Sequence, residues 1–104
     1  MDNTFKQDTA ATSTIDDFGK MLLPLNVRTR LGWLAGDTLA TTLEPTTGIL
    51  VLRKNDAANS DMEIDEMGRI HIPQELRTKA GWVLGERIEL NTSTAKAFLA
   101  LWPA

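Results

Sequence analysis

Apolar and polar positions follow the same irregular pattern twice along the chain. The first copy reads TIDDFGKMLLPLNVRTRLGW over residues 14–33, and the second reads EIDEMGRIHIPQELRTKAGW over residues 63–82. In both, an Asp-x-x-Gly segment precedes a short apolar stretch, a proline, a charged segment and a Gly-Trp pair. This order predicts a turn, a short strand and a helix of about two turns in each copy.

The similarity between the copies extends beyond these segments. An offset of 49 positions aligns residues 15–54 with residues 64–103 without a gap, and 11 of the 40 aligned pairs are identical. Ordinary residue usage produces roughly one identity in sixteen positions. The chain therefore contains a tandem duplication, and we predict that each copy folds into the same unit.

The Asp-x-x-Gly segments are typical of type I turns, with Asp at the first position and Gly at the fourth. We predict that Asp16 and Asp65 accept hydrogen bonds from backbone N–H groups of their turns, which is a structural role and not a catalytic one. The strand that follows, Met21–Leu23 or Ile70–Ile72, ends at a proline whose fixed φ suits the first turn of a helix.

Each short helix is followed by a glycine and a tryptophan. We predict that Gly32 and Gly81 adopt the left-handed conformation of a helix C-terminal cap. Trp33 and Trp82 come next, and each is predicted to fold back over its helix and close one end of the core. A partner-binding patch is the alternative for the two tryptophans.

Alternating apolar residues after each helix predict a hairpin of two half-buried strands. The first hairpin turns at Glu44–Gly48, which contains Pro and Gly, whereas the second turns within Thr92–Lys96, which contains neither. The strand positions are Leu39, Thr41 and Leu43 with Leu50 and Leu52 in the first copy, and Ile88, Leu90 and Thr92 with Leu99 and Leu101 in the second.

A unit of about forty residues has too little apolar surface to fold alone. We therefore predict a mainly β fold in which two ββαββ-like repeats, residues 15–54 and 64–104, share one core as a small pseudo-twofold β-barrel with two short helices. Residues 1–14 are predicted to be a flexible tail. Residues 55–63 carry a charge of −3 and are predicted to be a surface linker.

The amino-acid composition excludes several kinds of functional site. The 104 residues include no cysteine and one histidine, His71, so neither a disulfide nor a usual zinc site is expected. We expect no cofactor, no catalytic residue and no enzymatic activity, because a Gly-rich phosphate loop and a nucleophile–base pair are also missing. The N-terminal residues lack the signal-peptide pattern and no apolar run spans a bilayer, so we expect a cytoplasmic protein.

The order of turn, strand, proline, arginine-containing helix, glycine and hairpin closely resembles the AbrB/MazE/SpoVT superfamily of swapped-hairpin barrels. The resemblance covers both copies, and IDEMGRIHIPQELRTKAG in the second copy is the sharper match. It implies a bacterial or archaeal transcription regulator that binds duplex DNA through cations next to the turn glycines and on the short helices. The matching positions here are Lys20, Arg28, Arg30, Arg69, Arg77 and Lys79.

The net charge of −3 gives no global attraction to nucleic acid, so DNA binding depends on this local cluster of cations. A pseudo-twofold axis is expected to set Lys20 beside Arg69, and such symmetry matches the twofold relation between DNA strands. The alternative for Arg28 and Arg77 is an ion pair with a turn aspartate, and for the other cations an ordinary solvated position. His71 is predicted to lie on the outer face of its strand as an idle surface residue, with a phosphate contact as the alternative.

Two departures from the resemblance predict DNA binding that is weaker than is usual in this superfamily, or absent. Ser13 and Met62 stand where relatives often carry another arginine, and acidic Asp17, Glu66 and Glu75 lie close to the proposed surface. The alternative function is an antitoxin with a toxin protein as its partner, or an adaptor that uses the barrel for protein interactions. Pairing of the repeats within one chain predicts a pseudo-dimeric monomer, and swapping between chains predicts a homodimer.

Overall fold

Eight strands and two short helices form the part of the chain that the computed structural model describes, residues 10–55 and 62–104. The elements of the first half are β1 (Ala10–Thr14), β2 (Lys20–Leu22), α1 (Leu25–Leu31), β3 (Thr38–Leu43) and β4 (Leu50–Lys54). Those of the second half are β5 (Met62–Glu63), β6 (Arg69–His71), α2 (Gln74–Ala80), β7 (Arg87–Ser93) and β8 (Phe98–Pro103). Strands β2 and β6 each begin one residue earlier than predicted.

The strands form two antiparallel sheets. Six strands lie in a curled, half-barrel sheet in the order β1-β7-β8-β4-β3-β5, and β2 pairs with β6 in a separate two-stranded ladder. The predicted mainly β fold with two short helices is confirmed. No helix within the described residues is both long and apolar enough to cross a bilayer.

Most strand pairing joins the first half of the chain to the second. Strand β1 pairs with β7, β5 with β3, β2 with β6 and β4 with β8, whereas only the β3–β4 and β7–β8 hairpins lie within a repeat. The buried core is likewise drawn from both repeats, with Met21 and Leu50 in the same cluster as Ile70 and Leu99. Neither repeat therefore completes its sheet or its core alone.

The strand registers define a pseudo-twofold axis. In the β2–β6 ladder Met21 lies opposite Ile70, and in the β4–β8 pair Val51 lies opposite Ala100. In both pairs the partners are the equivalent positions of the two repeats, so each pair maps onto itself when the repeats are exchanged. The axis therefore passes close to both pairs, and the β2–β6 ladder lies at one of its ends.

Both helices end as their glycines predict. Gly32 and Gly81 have φ of 71° and 77°, in the left-handed region. The N–H of Trp33 then donates to the carbonyl of Arg28 at 2.9 Å, which closes the last turn of α1, and Trp82 makes the equivalent bond in α2. Both tryptophans are only 3% exposed, which confirms their predicted place in the core.

The predicted tail and linker both contain strands. Ala10–Thr14 form β1, which pairs with β7 over five residues, and Met62–Glu63 form β5, which pairs with β3. The sequence missed β1 because it is an edge strand with no buried side chain, so its composition shows no apolar alternation. Residues 1–9 and 56–61, the rest of the predicted tail and most of the linker, lie outside the described residues.

The second hairpin differs from the prediction in its loop. Strand β7 continues through Ser93, and the turn occupies residues 94–97 instead of Thr92–Lys96. Ala97 has a φ of 57° and lies at the position equivalent to Gly48, whose φ is 74°. The second hairpin therefore has a left-handed residue at the same place as the first, although that residue is not glycine.

Candidate nucleic-acid interface

The two Asp-x-x-Gly turns enter the β2–β6 ladder. Oδ1 of Asp16 accepts hydrogen bonds from the backbone N–H groups of Phe18 and Lys20, both at 2.9 Å. Asp65 makes the equivalent bonds with Met67 at 2.9 Å and Arg69 at 2.8 Å. The predicted turn-capping role of both carboxylates is confirmed.

These hydrogen bonds stabilise the charged form of the two carboxylates. The N–H of Lys20 is the largest cause that lowers the pKa of Asp16, and the N–H of Arg69 has the same effect on the pKa of Asp65. The positive charge of Arg69 lowers the pKa of both aspartates, so this cation acts on the turn of the other repeat as well as on its own.

The outward side chains of the ladder are Lys20, Leu22, Arg69 and His71, which we call the ladder face. Lys20 lies opposite His71, and Leu22 lies opposite Arg69, while Met21 and Ile70 point into the core between them. Lys20 and Arg69 therefore share a face but lie diagonally across it, at a spacing of about 7–8 Å for such positions, and not directly opposite one another.

Arg28 and Arg77 each reach across to the turn of the other repeat. A Cβ built on Gly68 would lie 2.7 Å from Cζ of Arg28, and one built on Gly19 would lie 3.4 Å from an Nη of Arg77. Each turn glycine is therefore covered by an arginine from the sister helix and followed by a cation of its own strand. Four cations, Lys20, Arg28, Arg69 and Arg77, gather in this way around the ladder.

The two helical arginines do not form the ion pairs considered from the sequence. Nε of Arg28 donates to the carbonyl of Leu23 at 2.7 Å, and Nε of Arg77 donates to the carbonyl of Ile72 at 3.0 Å. Within the described residues neither guanidinium pairs with a carboxylate. Because the bond uses only one of the five N–H groups of each arginine, the others remain available for an anionic ligand.

The remaining two predicted cations lie apart from this group. Arg30 borders a surface depression beside α1, and Lys79 borders another between α2 and the β3–β5 edge. Nζ of Lys79 lies 3.5 Å from a carboxylate oxygen of Glu75, and both side chains are largely exposed. The structure therefore brings together four of the six predicted positions.

Carboxylates lie close to the same surface. Asp17 and Glu66 are exposed at the turn tips, and Nε of Arg69 lies 3.3 Å from Oδ2 of Asp65. This ion pair occupies one edge of the Arg69 guanidinium. The charge density of the face is lower than a count of its cations suggests.

Three exposed apolar side chains accompany the cations, and the sequence reasoning did not single them out. Phe18 and Met67 are 80% and 69% exposed at equivalent turn tips, and Leu22 is 45% exposed on the ladder face. The signal was present in the sequence, because the third position of an Asp-x-x-Gly turn points outward and both copies carry a large apolar residue there.

His71 lies on the outer face of its strand, as predicted from the alternation of side chains. His71 is exposed on the ladder face, and its Nε2 lies 3.3 Å from the position that a Cβ on Gly19 would take. It thus shares one end of the ladder with Lys20 and Arg77. Among residues 10–55 and 62–104, no three His, Asp or Glu side chains come together as a metal site.

Comparison with known proteins shows the fold alone. No protein-family model matches the sequence, and no curated protein sequence is significantly similar to it. The chain is similar to the solution structure of PHS018 from Pyrococcus horikoshii, with a TM-score of 0.52 and 21% identity over 90% of this chain and 89% of that one. At this level of identity the similarity carries no information on ligands.

Proposed function

We propose that this protein is a DNA-binding transcriptional regulator of the AbrB-like, swapped-hairpin type, which contacts duplex DNA through the ladder face and the two arginines beside it. The observation that carries the proposal is the gathering of Lys20, Arg28, Arg69 and Arg77 from both repeats around one exposed two-stranded ladder. The pairing of β1 with β7 and of β5 with β3, each between the two halves of the chain, supports the swapped-hairpin assignment.

The dimensions of the ladder suit a DNA groove. Its strands are about 5 Å apart and three residues long, which amounts to roughly 10 Å, and a major groove about 12 Å wide admits a two-stranded ribbon. The pseudo-twofold axis through Met21 and Ile70 is normal to this ribbon. Aligned with the local twofold of a duplex, it sets one cation pair on each DNA strand.

The electrostatic part of the proposal predicts a strong dependence of affinity on salt. Four phosphate contacts release counterions with a slope of about −0.9 per contact in log K against log salt. Affinity is therefore expected to fall about a hundredfold between about 50 and 200 mM salt. Fluorescence anisotropy with labelled duplexes of AT-rich and random sequence measures both the affinity and the slope.

A pair of lysine variants separates local contact from general charge. Lys20→Ala removes a cation of the ladder face, whereas Lys96→Ala removes one in the β7–β8 connection, which contributes nothing to that face. We expect Lys20→Ala to weaken binding and to reduce the salt slope by about 0.9, and Lys96→Ala to leave the slope unchanged. Absence of binding by the unmodified protein at about 50 mM salt would reject the proposal.

Removal of the carboxylates at the turn tips should raise the affinity for DNA, whereas removal of Lys20 should lower it. If DNA lies over the ladder face, the charges of Asp17 and Glu66 repel it. The double variant Asp17→Asn and Glu66→Gln is then expected to bind the same duplexes several times more tightly. If the affinity of that variant is unchanged, DNA does not lie over the ladder face.

A second candidate function is a platform for protein partners, including a toxin. The exposed Phe18 and Met67 at the two turn tips favour it, because large apolar residues exposed at a surface can form the contacts of an interaction site. The test is co-purification of a partner from the native host. Loss of that partner in a Phe18→Ala and Met67→Ala double variant whose DNA salt slope is unchanged would assign the apolar residues to protein binding.

A further inference from the structure

The ladder face has two unlike ends, although the repeats that build it share their backbone. One end carries Lys20 opposite His71, with Arg77 over the adjacent Gly19. The other carries Arg69 opposite Leu22, with the guanidinium of Arg28 over the adjacent glycine. The largest chemical difference lies at the equivalent positions 22 and 71, where an alkyl side chain replaces an imidazole.

Both of these side chains are placed to touch a ligand on the face. Leu22 is 45% exposed, while Met21 beside it is 1% exposed, so the strand directs Leu22 outward. His71 is exposed, and its Nε2 lies 3.3 Å from the position that a Cβ on Gly19 would take, close to a guanidinium nitrogen of Arg77 at 3.4 Å from the same position. Its outward position and its neighbours therefore make one end of the face a cluster of hydrogen-bond donors.

We infer that the preferred ligand is a non-palindromic duplex with two different half-sites. The half-site that contacts Lys20 and His71 contains guanine, and the half-site that contacts Leu22 contains thymine. The inference rests on the proposed function and names the substrate class of the same face. In the major groove guanine presents the acceptors O6 and N7, which suit hydrogen-bond donors, and thymine presents a methyl group, which suits an alkyl side chain.

The physical reason for the asymmetry is the covalent joining of the repeats. A homodimer presents two identical faces and selects a palindrome, since each half-site meets the same residues. In this chain positions 22 and 71 belong to one polypeptide and have diverged, while the ladder register remains symmetric. The protein therefore keeps the twofold geometry of a groove binder and binds its site in one orientation.

The experiment is selection of binding sites from a random duplex library by the unmodified protein and by three variants. Leu22→His and His71→Leu each make the two ends of the ladder face alike, and both positions are exposed. Ala95→His is the matched control, because it adds a histidine at an exposed position of the β7–β8 connection. Unchanged thermal unfolding of each variant shows that it is folded.

The unmodified protein and Ala95→His are expected to enrich the same non-palindromic sequence, whereas Leu22→His and His71→Leu each enrich a more symmetric one. Replacing the thymine half-site by an inverted copy of the guanine half-site should weaken binding by the unmodified protein at least about fivefold. The same replacement should strengthen binding by the Leu22→His variant. A palindromic sequence selected by the unmodified protein would overturn the inference and leave DNA binding intact. Failure to enrich any sequence, with no salt-dependent binding to bulk DNA, would overturn both.

Discussion

The β3–β4 hairpin of the first repeat and the β7–β8 hairpin of the second share a left-handed residue at the same place but differ in the residue that occupies it. Gly48 has a φ of 74° at the end of the first turn, and Ala97 has a φ of 57° at the equivalent place in the second. A residue with a Cβ is disfavoured there. The second turn persists because β8 is held on both sides, by β7 and by β4 of the other repeat.

The two Asp-x-x-Gly turns show the reverse relation, with the same glycine in different packing. A Cβ on Gly68 would lie 2.7–2.9 Å from three atoms of the Arg28 guanidinium, whereas a Cβ on Gly19 would meet its nearest neighbours at 3.3 Å. The comparison teaches that the duplication preserved the backbone more closely than the local environment. Matched substitutions in the two repeats measure how far their energetics have diverged.

Substitution of the tryptophans should lower the stability of the protein by similar amounts in the two repeats, and by more than any other change considered below. Trp33→Ala and Trp82→Ala each remove a buried ring that is 3% exposed, and each is expected to lower the free energy of unfolding by about 3–5 kcal/mol. Urea denaturation followed by circular dichroism measures both. Because the core is shared, each variant should still unfold in a single transition. Separate transitions for the two repeats would contradict the common core.

Replacing the two turn glycines by alanine should lower the free energy of unfolding by different amounts. Gly68→Ala is expected to cost about 1–2 kcal/mol for the left-handed backbone and about 1 kcal/mol more because Arg28 must leave its hydrogen bond to the carbonyl of Leu23. Gly19→Ala should cost less than Gly68→Ala, since its nearest neighbours, Nε2 of His71 and the carbonyl oxygen of Ile72, lie at 3.3 Å, so that they need to move by only a few tenths of an ångström. Denaturant unfolding gives both values.

A double-mutant cycle tests the assigned cause of that difference. In an Arg28→Ala background the additional cost of Gly68→Ala should vanish, because the clashing guanidinium is already gone. An additional cost that persists there would mean that backbone strain, and not Arg28, separates the two turns.

The hairpin turns should show a smaller effect of opposite sign in the two repeats. Ala97→Gly is expected to stabilise the protein by about 0.5–1 kcal/mol, since glycine adopts the left-handed conformation without strain but has more freedom when unfolded. Gly48→Ala should destabilise it by about 1 kcal/mol. Thermal unfolding of the two variants and of the double exchange provides the measurement. A loss of stability in Ala97→Gly would show that the second turn is not strained.

The acid limb of the stability curve should show the smallest effect. The pKa values of Asp16 and Asp65 are lowered in the folded state, so their contribution is fully present above the ordinary pKa of 3.8. It is lost as the pH falls through the lowered pKa of the folded protein, because the unfolded chain binds protons first. Asp16→Asn and Asp65→Asn should each flatten the dependence of melting temperature on pH in this range.

Asp17→Asn is the matched control for the acid limb. Its carboxylate lies in the same turn as Asp16 but accepts no hydrogen bond from the part of the chain that the structure describes. Removal of this charge should leave the acid dependence of the melting temperature nearly unchanged. An equal flattening by Asp17→Asn would assign the effect to general charge and not to the turn hydrogen bonds.

Local signals in the sequence were sufficient for the elements that a few neighbouring residues specify. The capping of the turns by Asp16 and Asp65, the left-handed Gly32 and Gly81, and the buried tryptophans all follow from short patterns, and the structure confirms them. The turn caps and the helix caps depend on hydrogen bonds between residues at most a few positions apart.

Other features depend on residues far apart in the chain. Strand β1 has no buried side chain, and its partner β7 lies in the second half of the chain, so nothing in the sequence of Ala10–Thr14 indicated it. The same reason explains why Arg28 covers Gly68 instead of pairing with an aspartate. Composition alone does not specify which backbone carbonyl or glycine a long side chain will meet.

The sequence by itself determined that the chain is duplicated and that each copy carries a capped turn, a short helix and a hairpin, because these are set by local backbone preferences. Only the tertiary structure decided that β2 and β6 pair in the register that places Lys20 opposite His71 and Leu22 opposite Arg69. That register is imposed by burial of Met21 and Ile70 between the repeats. Burial of this kind is a property of the assembled core and not of either copy.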